Sequence, residues 1–312
     1  MTQAAPLRPK DLAAIAAVVV IWGMNFVLMK VGLASFTPFQ LGAGRFLFAF
    51  LPLALLVRRP AVRPRWVLAF GAAQGLGQFG LLFVALHVGM TASLASVLLQ
   101  TQVFFTAILA ARLLHEKITL PLKVGMTSAA LGLACFGTNV ALSPGGGAVT
   151  AWGLVLTIGA SAMWATSNIV VRKAQQESTG FDPVSFVAWS SSVSVLPFLA
   201  MTWWIDPPQA RDNWQHAPLQ AWLTLAALGW LATNLAYGLW TGLLKKFQAS
   251  RVAPFSLGVP LIGLTAGIVL LGEMVSPLQW LGAAFVLGAL LSVLFGERLS
   301  RDRPQSPPAS AD

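Results

Sequence analysis

The sequence predicts an all-α membrane protein of ten transmembrane helices, built as two inverted five-helix repeats. Three observations carry that expectation. Of 312 residues, 56% are hydrophobic and only 10% charged, with a mean hydropathy of +0.73, whereas a soluble domain carries about 25% charged residues. Apolar runs of about 20 residues, the length that crosses a ~30 Å hydrocarbon core, recur along the whole chain. One long stretch also occurs twice. Ala92–Glu116 (ASLASVLLQTQVFFTAILAARLLHE) and Ala249–Glu273 (ASRVAPFSLGVPLIGLTAGIVLLGE) align at an offset of 157, with Ala92/Ala249, Ser93/Ser250, Leu113/Leu270, Leu114/Leu271 and Glu116/Glu273 identical.

The expected spans are 12–33, 38–57, 66–87, 91–114, 120–139, 151–172, 183–205, 218–244, 249–271 and 277–296. The first follows a short basic segment and lacks a small-residue cleavage site, so it reads as a retained helix rather than a signal peptide. Thr37-Pro38, Asp182-Pro183 and Ser276-Pro277 combine an N-cap residue with a proline in the first turn, where the missing N–H has no partner to lose. Pro254 and Pro260 interrupt the ninth span and are expected to kink it into a hinge.

Charge sets the expected orientation. With the N-terminus inside, 17 of the 20 Lys and Arg residues fall on the inner side, only Arg211 falls in an outer loop, and Lys30 and Arg45 lie within spans. That asymmetry is the positive-inside signature and places both termini in the cytoplasm.

The duplication extends over both halves. Trp22/Trp164 pair at offset 142, Pro38/Pro183 and Pro52/Pro197 at 145, and the last three helices of each half at 157. Five helices per half, an odd number, turn the second half upside down relative to the first. The expected units are 1–145 and 146–298, followed by a disordered cytoplasmic tail over 299–312, rich in Ser, Pro and charge. Inverted repeats bind substrate near the midplane, where the repeats meet, and alternate access about that site.

Enzyme and metal signatures are missing. His115-Glu116 begins like an HExxH motif, but position 119 is Thr, so the second zinc-ligating His at i+4 does not exist. There is no GxSxG elbow and no phosphate-binding Gly-rich loop. Three isolated His residues and a single Cys, Cys135, give neither a metal cluster nor an internal disulfide. The net charge of +10 is scattered between apolar runs, which fits membrane orientation and not nucleic acid. The expected partners are a small-molecule substrate and membrane lipid, with no cofactor, in a monomer or homodimer.

Arg45 is the most informative single residue. An Arg about 10 Å below the surface, at ~1.5 Å per residue, costs about 2.5–3.5 kcal/mol on insertion scales and usually faces a bundle interior or a watery path. It reads as an anchor for a substrate carboxylate, or as a snorkelling or helix-capping residue. Lys30, nearer a helix end, reads as snorkelling.

The uncharged polar residues form a ladder at three depths. Asn25 lies level with Arg45. Gln74, Gln78 and Gln100 lie near the middle, and Asn168, Ser190, Asn234, Tyr237 and Ser256 lie further in. Such residues commonly bond neighbouring helices; together they mark a route. Trp22, Trp164, Trp240 and Phe79 are the aromatics placed to line it. Trp203, Trp204, Trp214 and Trp222 read as interfacial anchors. Gly71/Gly75, Gly238/Gly242 and Gly263/Gly267 have GxxxG spacing, which suits close helix packing.

Trp22–Leu33 (WGMNFVLMKVGL), Pro38–Phe46 (PFQLGAGRF), Ala92–Thr106 (ASLASVLLQTQVFFT), Arg251–Pro260 (RVAPFSLGVP) and the Gly272-Glu273 helix end together resemble the EamA family of the drug/metabolite transporter superfamily. The likeness runs from about Asp11 to Gly296. It implies a ten-helix inverted-repeat exporter of small amino-acid-like metabolites, with O-acetylserine and cysteine as the expected substrates. Aromatic amino acids or cationic drug-like compounds are the alternative cargo, and a non-transporting scaffold the alternative class. The expected substrate-binding set is Trp22, Asn25, Arg45, Gln74, Gln78, Gln100, Trp164, Asn168 and Tyr237. With no ionisable Asp, Glu or His in the ladder, transport is expected to run downhill without proton coupling.

Overall fold

The computed structural model describes residues 8–116, 118–143, 148–247 and 249–301. Lys117, the unit boundary near 145 and nearly all of the 299–312 tail lie outside the described residues. The long helices are α1 (Pro9–Gly32), α2 (Pro38–Leu56), α3 (Pro64–Val88), α4 (Ala92–Leu113), α5 (Leu120–Leu142), α6 (Ala151–Gln176) and α7 (Pro183–Trp204). They continue with α8 (219–246), α9 (Pro254–Leu271, entered through a turn at Ala249–Val252) and α10 (Pro277–Arg301). Nine of these, among the described residues, are long and apolar enough to cross a membrane. The remaining one, α8, is as long, but Gln220, Thr224, Asn234 and Tyr237 make it more polar. Among the described residues there is no β-strand.

Helix starts obey the cap signals. Gln40 N–H donates to Thr37 Oγ1 at 3.1 Å, and Gln40 Oε1 accepts from Thr37 N–H at 3.1 Å. Ser276 and Gln279 make the same reciprocal pair at 3.2 and 2.9 Å, and Asp182 Oδ2 accepts from Ser185 N–H at 3.1 Å. These bonds satisfy donors that the first helical turn otherwise leaves open.

The two halves repeat each other in their irregularities. In α3 the backbone widens to π-helix over Gly71–Gly80, and in α8 it does so over Ala227–Leu235. In α4 it tightens to a 3-10 turn at Leu99–Thr101, and before the regular part of α9 at Ala253–Leu257. Each pair falls at or near the sequence offset of 157. Such departures inside helices are frequent at functional sites. The expected interruption by proline takes this form: Pro254 lies in the 3-10 turn, and Pro260 is buried in the helix that follows it.

Packing repeats in the same way. Helix α1 packs on α8 and α9 as α6 packs on α3 and α4; α2 packs on α8 as α7 packs on α3; α2 pairs with α7 and α5 with α10. The α5–α10 crossing shows the exchange in detail. A Cβ on Gly125 would lie 3.0 Å from the Ala289 carbonyl, and one on Gly132 would lie 2.8 Å from the Gly282 carbonyl. At offset 157, Gly125 corresponds to Gly282 and Gly132 to Ala289, so each contact pairs residues from opposite ends of the repeat. Gly132→Val is therefore expected to drive α5 and α10 apart and to remove most folded protein from detergent extracts, read as loss of the monodisperse peak in size-exclusion chromatography. An unchanged peak would show that the crossing yields at no cost.

Gly71/Gly75 pack against Ser190, Val193 and Ser194 of α7, and Gly263/Gly267 against Ser96 and Ser93 of α4, whereas Gly238 and Gly242 meet nothing within 4 Å. Of the four expected interfacial tryptophans, Trp203 and Trp204 are exposed. Trp214 and Trp222 instead pack on Phe36, with ring centroids 5.5 and 5.6 Å away.

The two ends of the bundle differ. Where the chain enters α1, Lys246 pairs with Asp11 at 2.6 Å, Arg172 with Glu116 at 2.5 Å, and Arg65 with Glu177 at 2.6 Å. At the opposite end Glu273, just past the left-handed Gly272 (φ 64°), caps α4. It accepts from Ala92 N–H at 2.7 Å, Ser93 N–H at 2.8 Å and Ser93 Oγ at 2.6 Å, a favourable position for a negative charge.

Candidate functional site

The paired irregularities border a central cavity. Helix α1 brings Trp22, Asn25 and Phe26 to it, α2 brings Arg45, and the π stretch of α3 brings Gln74, Gln78 and Phe79. Leu99 and Gln100 enter from the 3-10 turn of α4, Trp164 from α6, Ala232 and Tyr237 from α8, and Val259 from α9. Like other small-molecule sites, it pairs apolar walls with a few placed polar groups.

The π segments supply the polar geometry. Two carbonyls of the widened α8 stretch also take side-chain donors. Ala232 O accepts from Trp22 Nε1–H at 3.0 Å, and Leu228 O accepts from the Thr233 hydroxyl at 3.0 Å. Trp22 is thereby fixed edge-on to Tyr237, with centroids 5.2 Å apart, and against Trp240 at 5.7 Å. In α3, Gln74 donates to Gln78 and accepts from Ser167, and its Nε2 lies 3.5 Å from the Tyr237 hydroxyl.

Arg45 is only 2% exposed. Its Nη1 donates to Asn25 Oδ1 at 2.9 Å and its Nη2 to Thr233 Oγ1 at 3.3 Å. The guanidinium carbon lies 3.9 Å from the centre of the Phe79 ring, a cation–π contact. Among the described residues no carboxylate pairs with it, and its Nε–H is buried without a partner. A buried cation satisfied only by neutral groups is expensive, and an unused donor on a planar fork suits a carboxylate. The snorkelling alternative for Arg45 does not hold in this geometry.

Eight of the nine expected binding residues meet at this cavity: Trp22, Asn25, Arg45, Gln74, Gln78, Gln100, Trp164 and Tyr237. Asn168 does not. It ties α6 to α4 by donating to Gln102 Oε1 at 2.8 Å and Thr106 Oγ1 at 3.2 Å. The three-depth ladder also needs correction. Tyr237 stands beside Gln74, because α8 widens where it crosses α1, and Asn234 instead donates to the Ala49 carbonyl of α2 at 2.9 Å. Phe79 lines the cavity, while Trp240 stands behind Trp22.

Lys30 does not snorkel. It turns inward, donating to Leu86 O at 2.7 Å and Met90 O at 3.0 Å, where α3 ends at the left-handed Gly89 (φ 119°) and its last carbonyls need donors. Sequence reasoning missed Thr233 as a partner of Arg45. A lone Thr in an apolar helix carries no signal until the π stretch turns it inward.

The comparisons with known proteins agree with this architecture. The profile of the EamA-like transporter family matches residues 10–138 and again 151–295, one match per half. A probable amino-acid metabolite efflux pump of Salmonella typhimurium is 36% identical over 285 residues, 91% of this chain and 94% of its own. The Escherichia coli protein of the same description is 36% identical over 292 residues, covering 93% and 96%. One crystal structure superposes with a TM-score of 0.57 at 19% identity, covering 94% of this chain and 99% of its own, which shows the shared fold. With its profile matched in both halves, this chain belongs to the EamA-like transporter family, and is a membrane transporter and not an enzyme.

Proposed function

We propose that the protein exports small zwitterionic amino-acid metabolites, O-acetylserine and cysteine foremost, by alternating access around the central cavity. The observation that carries this is Arg45, a buried guanidinium with an unpaired Nε–H and no carboxylate beside it. A substrate α-carboxylate supplies the missing charge. The α-ammonium then falls among neutral acceptors, Gln78, Gln100 and the Tyr237 hydroxyl, and the Trp22, Phe79 and Trp164 rings. The two relatives described as probable amino-acid metabolite efflux pumps support the direction and the class of cargo.

Among the described residues no Asp, Glu or His lines the cavity. Asp206, whose carboxyl burial pushes up against the opposing pull of Thr37, His87 and Arg211, is bonded to Thr37 at the end of α7 instead. We therefore read transport as facilitated efflux down the metabolite's own gradient. On the same reading the basic end of the bundle faces the cytoplasm of a bacterial inner membrane, with both termini inside.

The test is counterflow in proteoliposomes. Vesicles loaded with unlabelled O-acetyl-L-serine are expected to accumulate labelled L-cysteine transiently, with no further accumulation when a pH difference is imposed. No exchange of any amino acid would favour the scaffold alternative and end the transport reading. Sustained proton-driven accumulation would replace facilitated efflux by coupling.

A further inference from the structure

Beside the central cavity lies a second, narrower space between α2, α3, α7 and α8. Gln74, Phe79 and Tyr237 line both, so they form the common wall. Thr233 also lines the smaller space and is the residue that accepts from Arg45 Nη2 at 3.3 Å. The guanidinium thus stands one side chain away from the chamber.

Glycines on α3 bring α7 close along one edge of this chamber. A Cβ on Gly75 would fall 1.8 Å from Ser194 Oγ, and one on Gly71 would fall 2.6 Å from the Ser190 carbonyl. Helix α7 presents three serines to it. Two are satisfied by backbone: Ser191 Oγ donates to Val187 O at 2.9 Å and Ser194 Oγ to Gly71 O at 3.0 Å. Ser190 is different. It is 1% exposed, and among the described residues its hydroxyl has no hydrogen-bond partner, although a helical serine commonly bonds back to its own preceding turn. A buried hydroxyl left open calls for an explanation, and this one lines the chamber. Among the described residues no charged side chain lines the chamber, and Phe46, Phe70 and Phe79 make up much of its wall.

We propose that this chamber is the subsite for the side chain of the bound α-amino acid, and that Ser190 selects short, neutral, hydrogen-bonding groups: a hydroxyl, a thiol or an ester. The assignment rests on the amino-acid reading above. With the carboxylate at Arg45, the α-carbon lies by the Gln74–Tyr237 wall and the side chain crosses it toward α7. There the Ser190 hydroxyl can both donate and accept. A charged side chain finds no counter-ion, and an apolar one of the same size leaves the hydroxyl unpaired, which is how a polar site rejects an isostere.

The probes are L-serine and L-2-aminobutyrate, which differ by a hydroxyl in place of a methyl, together with O-acetyl-L-serine. Their exchange is measured in proteoliposomes carrying wild type, Ser190→Ala and Ser190→Thr. The ratio of L-serine to L-2-aminobutyrate exchange is expected to fall about threefold to tenfold in Ser190→Ala, the worth of one neutral hydrogen bond. In Ser190→Thr, which keeps the hydroxyl and adds a methyl, that ratio is expected to persist while O-acetyl-L-serine loses ground to L-serine. Exchange of both probes by Ser190→Ala with an unchanged ratio would remove the subsite and leave the transport reading standing. The subsite is equally removed if Ser190→Thr alone yields folded protein and leaves the preference between O-acetyl-L-serine and L-serine unaltered. No exchange of any probe by wild type would remove both.

Discussion

Arg45→Ala is expected to lower amino-acid exchange by at least about tenfold, the scale of a charge-assisted bidentate contact, while folded protein in the membrane changes little. The two effects separate because of what surrounds the residue. Its partners are the neutral Asn25 and Thr233 and the face of Phe79, so removing the cation strands no opposite charge. Burying that cation also works against folding, by about 2.5–3.5 kcal/mol on insertion scales, and alanine relieves the penalty. Arg45→Lys is expected to restore exchange only in part, since an ammonium cannot hold Asn25, Thr233 and a carboxylate in one plane. Parallel loss of exchange and of folded protein in Arg45→Ala would make the residue structural.

Glu273→Gln is expected to have the second-largest effect, on access and not on binding. Its carboxylate closes α9 onto the start of α4 through three donors, Ala92 N–H, Ser93 N–H and Ser93 Oγ. Hydrogen bonds to a charged group contribute about 1.5–3 kcal/mol, and the amide keeps only part of this because one of its two terminal atoms is a donor. A loss of about 1.4 kcal/mol shifts a two-state equilibrium tenfold. Ser96 lies buried on the same α4–α9 seam, bonded to Pro260 O at 3.2 Å, and reports its opening. In a Cys135→Ser background, Ser96→Cys is expected to react with a membrane-impermeant maleimide about tenfold faster when Glu273 is Gln. Equal rates would show that this contact does not hold the end shut.

Much of the fold was legible because its signals are local. Apolar length located the spans to within a few residues, as in 38–57 against Pro38–Leu56 and 183–205 against Pro183–Trp204, and the cap-plus-proline starts at Pro38, Pro183 and Pro277 were met at the residue. Eight of the nine candidate residues share one cavity because buried polar side chains in an apolar bundle have few places to go. Asn168 misled for the same reason in reverse: a membrane asparagine bonds equally well between two helices, here to Gln102 and Thr106. The π stretches were not legible. Nothing in GAAQGLGQFG or ALGWLATNL marks a widened turn, yet that turn decides where Gln74, Thr233 and Tyr237 point. Lys30 and Ser190 depend on a carbonyl row and a glycine face on another helix, which become neighbours only in the folded chain.

The central claim is that Arg45 holds the substrate carboxylate, and one comparison tests it directly. Inhibition of exchange by L-cysteine and by cysteamine, which lacks the carboxylate, is measured in wild type and in Arg45→Ala. The four values form a double-mutant cycle in which one change is made on the ligand. Wild type is expected to favour L-cysteine by about tenfold to a hundredfold, and Arg45→Ala is expected to show no preference. A preference that survives intact in Arg45→Ala would place the carboxylate elsewhere and contradict the account.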